Sequence, residues 1–242
     1  MSADPLLPPE PPRPAIPIAT GNPIVPPAQA ILIATGNPIV PPAQAILKGA
    51  WLAVVLGFAI EGLILVSFAV SGGALVAKPF TADLVQKVSW SFIVCVALAV
   101  ARTASKSTGL MMGIAGLLAA PAGFAIARGL HKGASQALGL VAAAAPGPSP
   151  MMVAGIKGLQ YAALGLALGW VAKKDWGGVA AHAGVGFACG VLFGVPLLAL
   201  TFQAMPELSA ATVVARSVNE LFFPVGCALV LYASDTLGKR LV

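Results

Sequence analysis

The sequence predicts an all-α fold, a polytopic transmembrane helical bundle of about six spans behind a disordered, Pro-rich N-terminal tail. Three observations predict it. Only 9% of the 242 residues are charged against 58% apolar, and the mean hydropathy is +0.92. A soluble domain carries about a quarter charged residues, so this chain cannot cover a water-facing surface and its solvent is largely the lipid bilayer. The Lys and Arg residues punctuate apolar runs instead of clustering, which suits membrane-flanking charge and argues against nucleic acid as a partner despite a net charge of +6. Finally, 13 of the 21 prolines fall within residues 1–47, where missing N–H groups and fixed φ angles oppose both helix and sheet.

The tail repeats itself. IATGNPIVPPAQAIL at residues 18–32 recurs without a difference at 33–47. A folded element rarely absorbs a 15-residue insertion, whereas a disordered segment does so cheaply. PPEPPRP at 8–14 could serve as a ligand for an aromatic groove, but a neutral tether is the favoured reading. Nothing at the start of the chain resembles a secretory signal. Pro42 is suited to a helix start, so Ala43–Leu47 is expected to open the first span.

A span needs about 20 apolar residues. Glu61 is the only charge between Lys48 and Lys78, which defines span 1 at 49–71. Lys106 and Arg128 bracket 21 uncharged residues (span 3, 108–128), and Asp175 and Glu207 bracket 31 (span 5, 178–202). Spans 2 (84–102), 4 (151–172) and 6 (212–234) contain uncharged runs of 14, 15 and 14 residues. Each of these three crosses only by admitting charge near one end. Trp90, Trp170 and Tyr232 lie near the ends of those runs and are assigned to the membrane interface. Residues 133–150 are expected to form an interfacial or re-entrant piece, with His131 in a loop before it.

Lys and Arg counts set the orientation. With the N-terminus inside, the inner side holds Arg13, Lys48, Arg102, Lys106, Lys173, Lys174, Lys239 and Arg240. The outer loops hold Lys78, Lys87, Arg128 and Lys132, to which Lys157 and Arg216 can be added. Both termini are therefore expected in the cytoplasm, with a bacterial inner membrane as the expected location.

Small residues allow close helix approach in lipid, where no hydrophobic drive brings helices together. Gly186, Gly190 and Gly194 stand four apart on span 5, with His182 on the same stripe; span 3 has Gly109, Gly113 and Gly116, and span 4 has Gly165 and Gly169. These faces are expected to pack helices, within the chain, against other membrane subunits or in self-association. GVGFACG at 184–190 lies inside an uncharged run and not at a strand–helix turn, so packing outweighs a dinucleotide loop. Pro121, Pro196 and Pro224 should deprive the carbonyls of Leu117, Leu192 and Glu220 of their N–H partners. Cys95, Cys189 and Cys227 lie in apolar runs without metal-type spacing and are expected to be packing residues.

The candidate pathway residues are Glu61, Lys87, Lys157, Arg216 and Glu220. Glu61 falls ~18 Å along its span at 1.5 Å per residue, where a charged carboxylate costs ~3 kcal/mol unless paired, protonated or wetted. Arg216 and Glu220 stand at i and i+4, and Pro224 frees the backbone carbonyl of Glu220, a grouping that resembles the oxygen clusters of broken transporter helices. With the N-terminus inside, spans 2, 4 and 6 all carry their charge near the outer end. Three side chains snorkelling to the surface would explain this, and so would a water-filled outer vestibule with Glu61 toward its floor. No catalytic motif, metal-binding spacing or cofactor fingerprint is present, so no enzyme activity and no cofactor are expected. Two roles follow: a non-catalytic subunit or scaffold of a membrane complex, or a small ion- or proton-coupled transporter using Glu61 and the Arg216/Glu220 pair. Plain structural readings of most of the polar residues favour the first.

Overall fold

The computed structural model describes residues 42–104, 108–140 and 147–239. Residues 1–41, with the first copy of the tail repeat and most of the second, and the AAAA run at 142–145 lie outside the described residues, while the last six residues of the second copy, 42–47, open the first helix. Within them the chain forms six helices long and apolar enough to cross a membrane: α1 (Pro42–Val70), α2 (Ala77–Ala104), α3 (Thr108–Ala137), α4 (Pro150–Val171), α5 (Val179–Ala204) and α6 (Ala210–Lys239). The protein is an integral membrane protein. Its outer surface exposes Trp51, Val66, Leu118 and Leu192, which water would not tolerate in such density and lipid does.

Local chemistry sets the helix ends. α1 starts at Pro42, where a missing N–H costs nothing. Two helices, α1 and α3, stop in the same way at the end of the bundle opposite the start of α1. Gly72 and Gly139 take left-handed φ of 83° and 70°. Gly73 N–H donates to Phe68 O and Leu140 N–H to Ser135 O, the Schellman closure that occupies otherwise orphaned carbonyls. Ser149 caps α4 by accepting from Met152 N–H, and Ser209 caps α6 by accepting from Thr212 N–H. The stretch expected to be a separate interfacial piece instead opens with the last turns of α3, which runs nine residues beyond Arg128 to Ala137. His131 accordingly lies on a helix, not in a loop. The helix continues because Ala and Gln are compatible with it and nothing before Gly139 stops it.

Neighbours in sequence pack as neighbours in space, and α6 returns to α1, so the helices close a ring; α6 also touches α2 and α4 across it. Glycines set the closest approaches. A Cβ at Gly116 would overlap the Tyr161 carbonyl, and one at Gly165 the Met112 carbonyl, while Gly109 and Gly169 abut each other. On α5, a Cβ at Gly186 would lie 2.6 Å from Val225 Cα and one at Gly190 2.5 Å from Leu221 O, both on α6. Gly113 meets the Leu166 side chain, and buried His182 stacks at a tilt on Tyr232, with centroids 5.0 Å apart.

The prolines do not break their helices. α3 runs through Pro121 and α6 through Pro224. The carbonyls they free face glycines on a neighbouring helix: a Cβ at Gly158 would lie 3.2 Å from Leu117 O, and one at Gly194 3.1 Å from Glu220 O. Those approaches place a Cα–H against each carbonyl, a weak substitute for the lost bond. Before Pro196 the solution differs. Residues Gly190–Gly194 widen into a π turn, one of the known ways of absorbing an irregular backbone pattern. Gln160 Nε2 on α4 donates to Cys189 O, immediately ahead of that turn, at 3.4 Å.

Candidate functional site

One cavity of about 740 Å³ enters the ring from the end opposite the start of α1. Its mouth touches the connections at Ala74, Pro148 and Met205, and Glu61, Lys87, Lys157, Arg216 and Glu220 all line it. Glu61, Lys87, Lys157 and Glu220 come from α1, α2, α4 and α6. Counting 1.5 Å per residue from each helix's near end puts them ~10–15 Å deep, so two acidic and two basic residues form one layer at membrane depth.

The five residues differ sharply in exposure. Glu61 is 2% exposed and Lys157 7%; Lys87 and Glu220 are half-buried, and Arg216 is exposed. Lys157 Nζ donates to a Glu220 carboxylate oxygen in an ion pair, and a second hydrogen bond runs from Nζ to Gln160 Oε1 at 3.2 Å. Asn219 Nδ2 donates to the other Glu220 oxygen at 3.1 Å. The partner of Glu220 is thus Lys157 on α4, not Arg216 one turn away on its own helix. Charges at i and i+4 gain little when both remain near water, whereas the buried lysine needs its counter-ion. The expected oxygen cluster at Pro224 does not form either: the freed carbonyl is covered by Gly194, and the carboxylate is committed to Lys157 and Asn219.

Lys87 lies within electrostatic range of Glu61, Asp83 and Glu220. Among the described residues it makes no ion pair as close as that of Lys157. Nearer the mouth, His131 Nε2 and Asp83 Oδ1 are 3.1 Å apart, bridging α3 to α2. Among the described residues four buried side-chain polar atoms lack a partner, Glu61 Oε2, Tyr161 Oη, His182 Nε2 and Asn219 Oδ1, and of these residues Glu61 and Asn219 line the cavity. Such groups are rare in folded proteins.

The floor is aromatic. Trp90, 8% exposed, packs edge-on against Phe124, Tyr161 and Phe223, with centroids 5.6 to 6.5 Å apart. This corrects the interfacial assignment of Trp90, whose ring is drawn inward by these three neighbours. Trp170 does lie at a helix end and exposed, packed on Trp176 under Lys174, while Tyr232 packs against His182. Below the floor the ring is filled. Ser91 Oγ donates to Ala53 O at 2.6 Å, and the Cys95 and Cys227 sulfurs stand 3.2 Å apart between α2 and α6. At the opposite end, where α1 starts, a smaller recess of about 290 Å³ is lined by Ala99, Arg102, Lys173 and Asp235. There Arg102 pairs with Asp235 at 2.8 Å and donates to Leu231 O at 3.0 Å.

Sequence reasoning missed Asp83, Gln160, Asn219 and the Arg102–Asp235 bridge. Asp83 carried the one available signal, an acidic residue one turn before Lys87. Its partner His131 was hidden by the loop assignment. No family of known proteins, no curated protein and no solved structure matches this chain.

Proposed function

We propose that this protein is a non-enzymatic membrane carrier that binds a small polar solute or ion in the charged cavity, with Glu61 taking part in proton or ion movement. The observation that carries the reading is a one-ended cavity bringing four charges from four helices to membrane depth, with Glu61 sealed at its base. Ionisable groups held inside a bundle are costly and belong to solute and proton pathways more often than to packing. Carrier sites lie near the bilayer midplane between helices. With the orientation expected from Lys and Arg counts, the cavity faces outward.

The subunit reading drew on glycine faces and on plain structural readings of most of the polar residues. Gly109, Gly113, Gly165, Gly169, Gly186, Gly190 and Gly194 meet residues of this same chain, which weakens the first of these supports and leaves the cavity to be explained. Liposomes containing the purified chain and an internal pH dye should discharge an imposed proton gradient, and Glu61→Gln should slow discharge at least tenfold. Equal rates in the two proteins would remove Glu61 from the pathway. A wild-type rate no faster than that of empty liposomes would remove proton coupling altogether.

A further inference from the structure

The charges around the cavity are not all matched by one another. Lys157 is matched by Glu220, and Asp83 is hydrogen-bonded to His131; Lys87 shares the field of Glu61. Arg216 and Arg128 line the same space with no hydrogen bond or ion pair among the described residues. At the base the mismatch has the opposite sign, because Glu61 Oε2 and Asn219 Oδ1 are acceptors with no donor. The site therefore offers spare acceptors below and spare guanidinium groups above.

Their placement gives the mismatch a direction. Arg216 and Asn219 sit at i and i+3 on α6, so they share a face, with Arg216 ~4.5 Å nearer the mouth at 1.5 Å per residue. Glu61 lies on α1, which packs directly against α6. A solute that fits carries a donor-rich cation at one end and a carboxylate a few ångströms away. A simple cation would satisfy Glu61 but meet Lys87, Arg128 and Arg216. A simple anion would satisfy Arg216 but leave Glu61 and Asn219 unpaired. A volume of about 740 Å³ falls in the ~300–1,000 Å³ range of small-molecule sites.

We propose that the cavity binds a small zwitterion of the α-amino-acid class. Its ammonium group donates to Glu61 and Asn219, its carboxylate meets Arg216, and its side chain lies toward the Trp90 and Phe223 rings. Arg128, across the cavity on α3, keeps the entrance attractive to the carboxylate. This rests on reading the cavity as a solute site but does not require that transport be driven by protons.

The test is binding to the full chain in lipid nanodiscs by titration calorimetry. L-Leucine is compared with 4-methylpentanoate, which lacks the amine, and 3-methylbutylamine, which lacks the carboxylate; glycine and L-glutamine sample other side chains. At least one amino acid should bind, with leucine favoured at least tenfold over both single-pole probes. Glu61→Gln should weaken leucine about tenfold or more, as expected for loss of a charged hydrogen bond, and leave 4-methylpentanoate unchanged. Arg216→Gln should weaken leucine and spare 3-methylbutylamine, while Lys132→Gln, exposed and away from the cavity, should change nothing. Helical circular dichroism shows that each variant is folded. Equal binding of leucine and 4-methylpentanoate, or no amino-acid binding to the folded wild type, overturns the proposal. Proton flux without amino-acid binding overturns this inference alone; amino-acid binding without any flux overturns the carrier reading alone.

Discussion

Glu61 and Lys157 sit at similar depth and meet the cost of burial in opposite ways. Lys157 is neutralised by a carboxylate and held by Gln160. Glu61 keeps one oxygen sealed and unpaired, with Lys87 as its principal opposite charge. Removing one member of a buried pair costs ~3–5 kcal/mol because it strands the other, so Lys157 and Glu220 stand or fall together while Glu61 can change state alone. Single cysteines at these positions should report the difference. With an impermeant thiol reagent applied from the cavity side, Arg216→Cys should label fastest, Lys87→Cys more slowly, and Lys157→Cys and Glu61→Cys slowest. Equal rates at 216 and 61 would contradict the depth order. All five of these residues were legible as charges interrupting apolar runs, since lipid makes every such interruption conspicuous. Their pairing was not. The Lys157–Glu220 bridge joins residues 63 apart, and only the contact of α6 with α4 across the ring brings them together.

At the scale of the helix, proline and glycine act as partners across an interface. Each of two interrupted ladders is met by a glycine on the facing helix, so the kinked residue and the small residue form a single packing unit. Glycines in contact and glycines in the open should then respond oppositely to a methyl group. Gly116→Ala would drive Cβ into the Tyr161 carbonyl and should destabilise by ~1–3 kcal/mol. Gly129→Ala, with nothing within 4 Å, should be neutral or stabilise by up to ~1 kcal/mol through helix propensity. Thermal unfolding in mild detergent measures both, and a matched loss at 129 would contradict the assignment of close contacts to α3 and α4. The small-residue stripes were visible in the sequence at their helical spacing. Which helix each stripe would meet was not, because a glycine face is equally suited to a neighbour in the chain or a second molecule. The π turn was also out of reach, since Pro196 alone does not say whether a helix will kink, bulge or run on.

For the whole molecule, an even number of spans returns the chain to its starting side. The ends of α1 and α6 lie together, where Gly49 approaches Ser234. Tags at the two termini should therefore be protected or cleaved together when sealed vesicles are treated with protease; opposite behaviour would exclude six crossings. Charge spacing alone defined three of the spans, while the other three carried too few uncharged residues to stand without help. The cavity explains why: their charges face the interior of the ring and not lipid.

The two recesses leave little solid protein between them. From Trp90 to Ala99 on α2, and from Phe223 to Ser234 on α6, the filled section is only ~13–16 Å thick at 1.5 Å per residue, about half the ~30 Å hydrocarbon layer. Water and mobile ions at either end carry the potentials of their own sides inward, so the transmembrane voltage falls mainly across this short plug. Glu61, at its upper edge, experiences nearly the full potential of the cavity side. A charge passing from there to the Arg102–Asp235 end crosses most of the field within half the usual distance, worth ~2.3 kcal/mol per elementary charge at 100 mV. On the carrier reading, the thinness of the aromatic floor would make a charge's step past Trp90 the voltage-sensitive one.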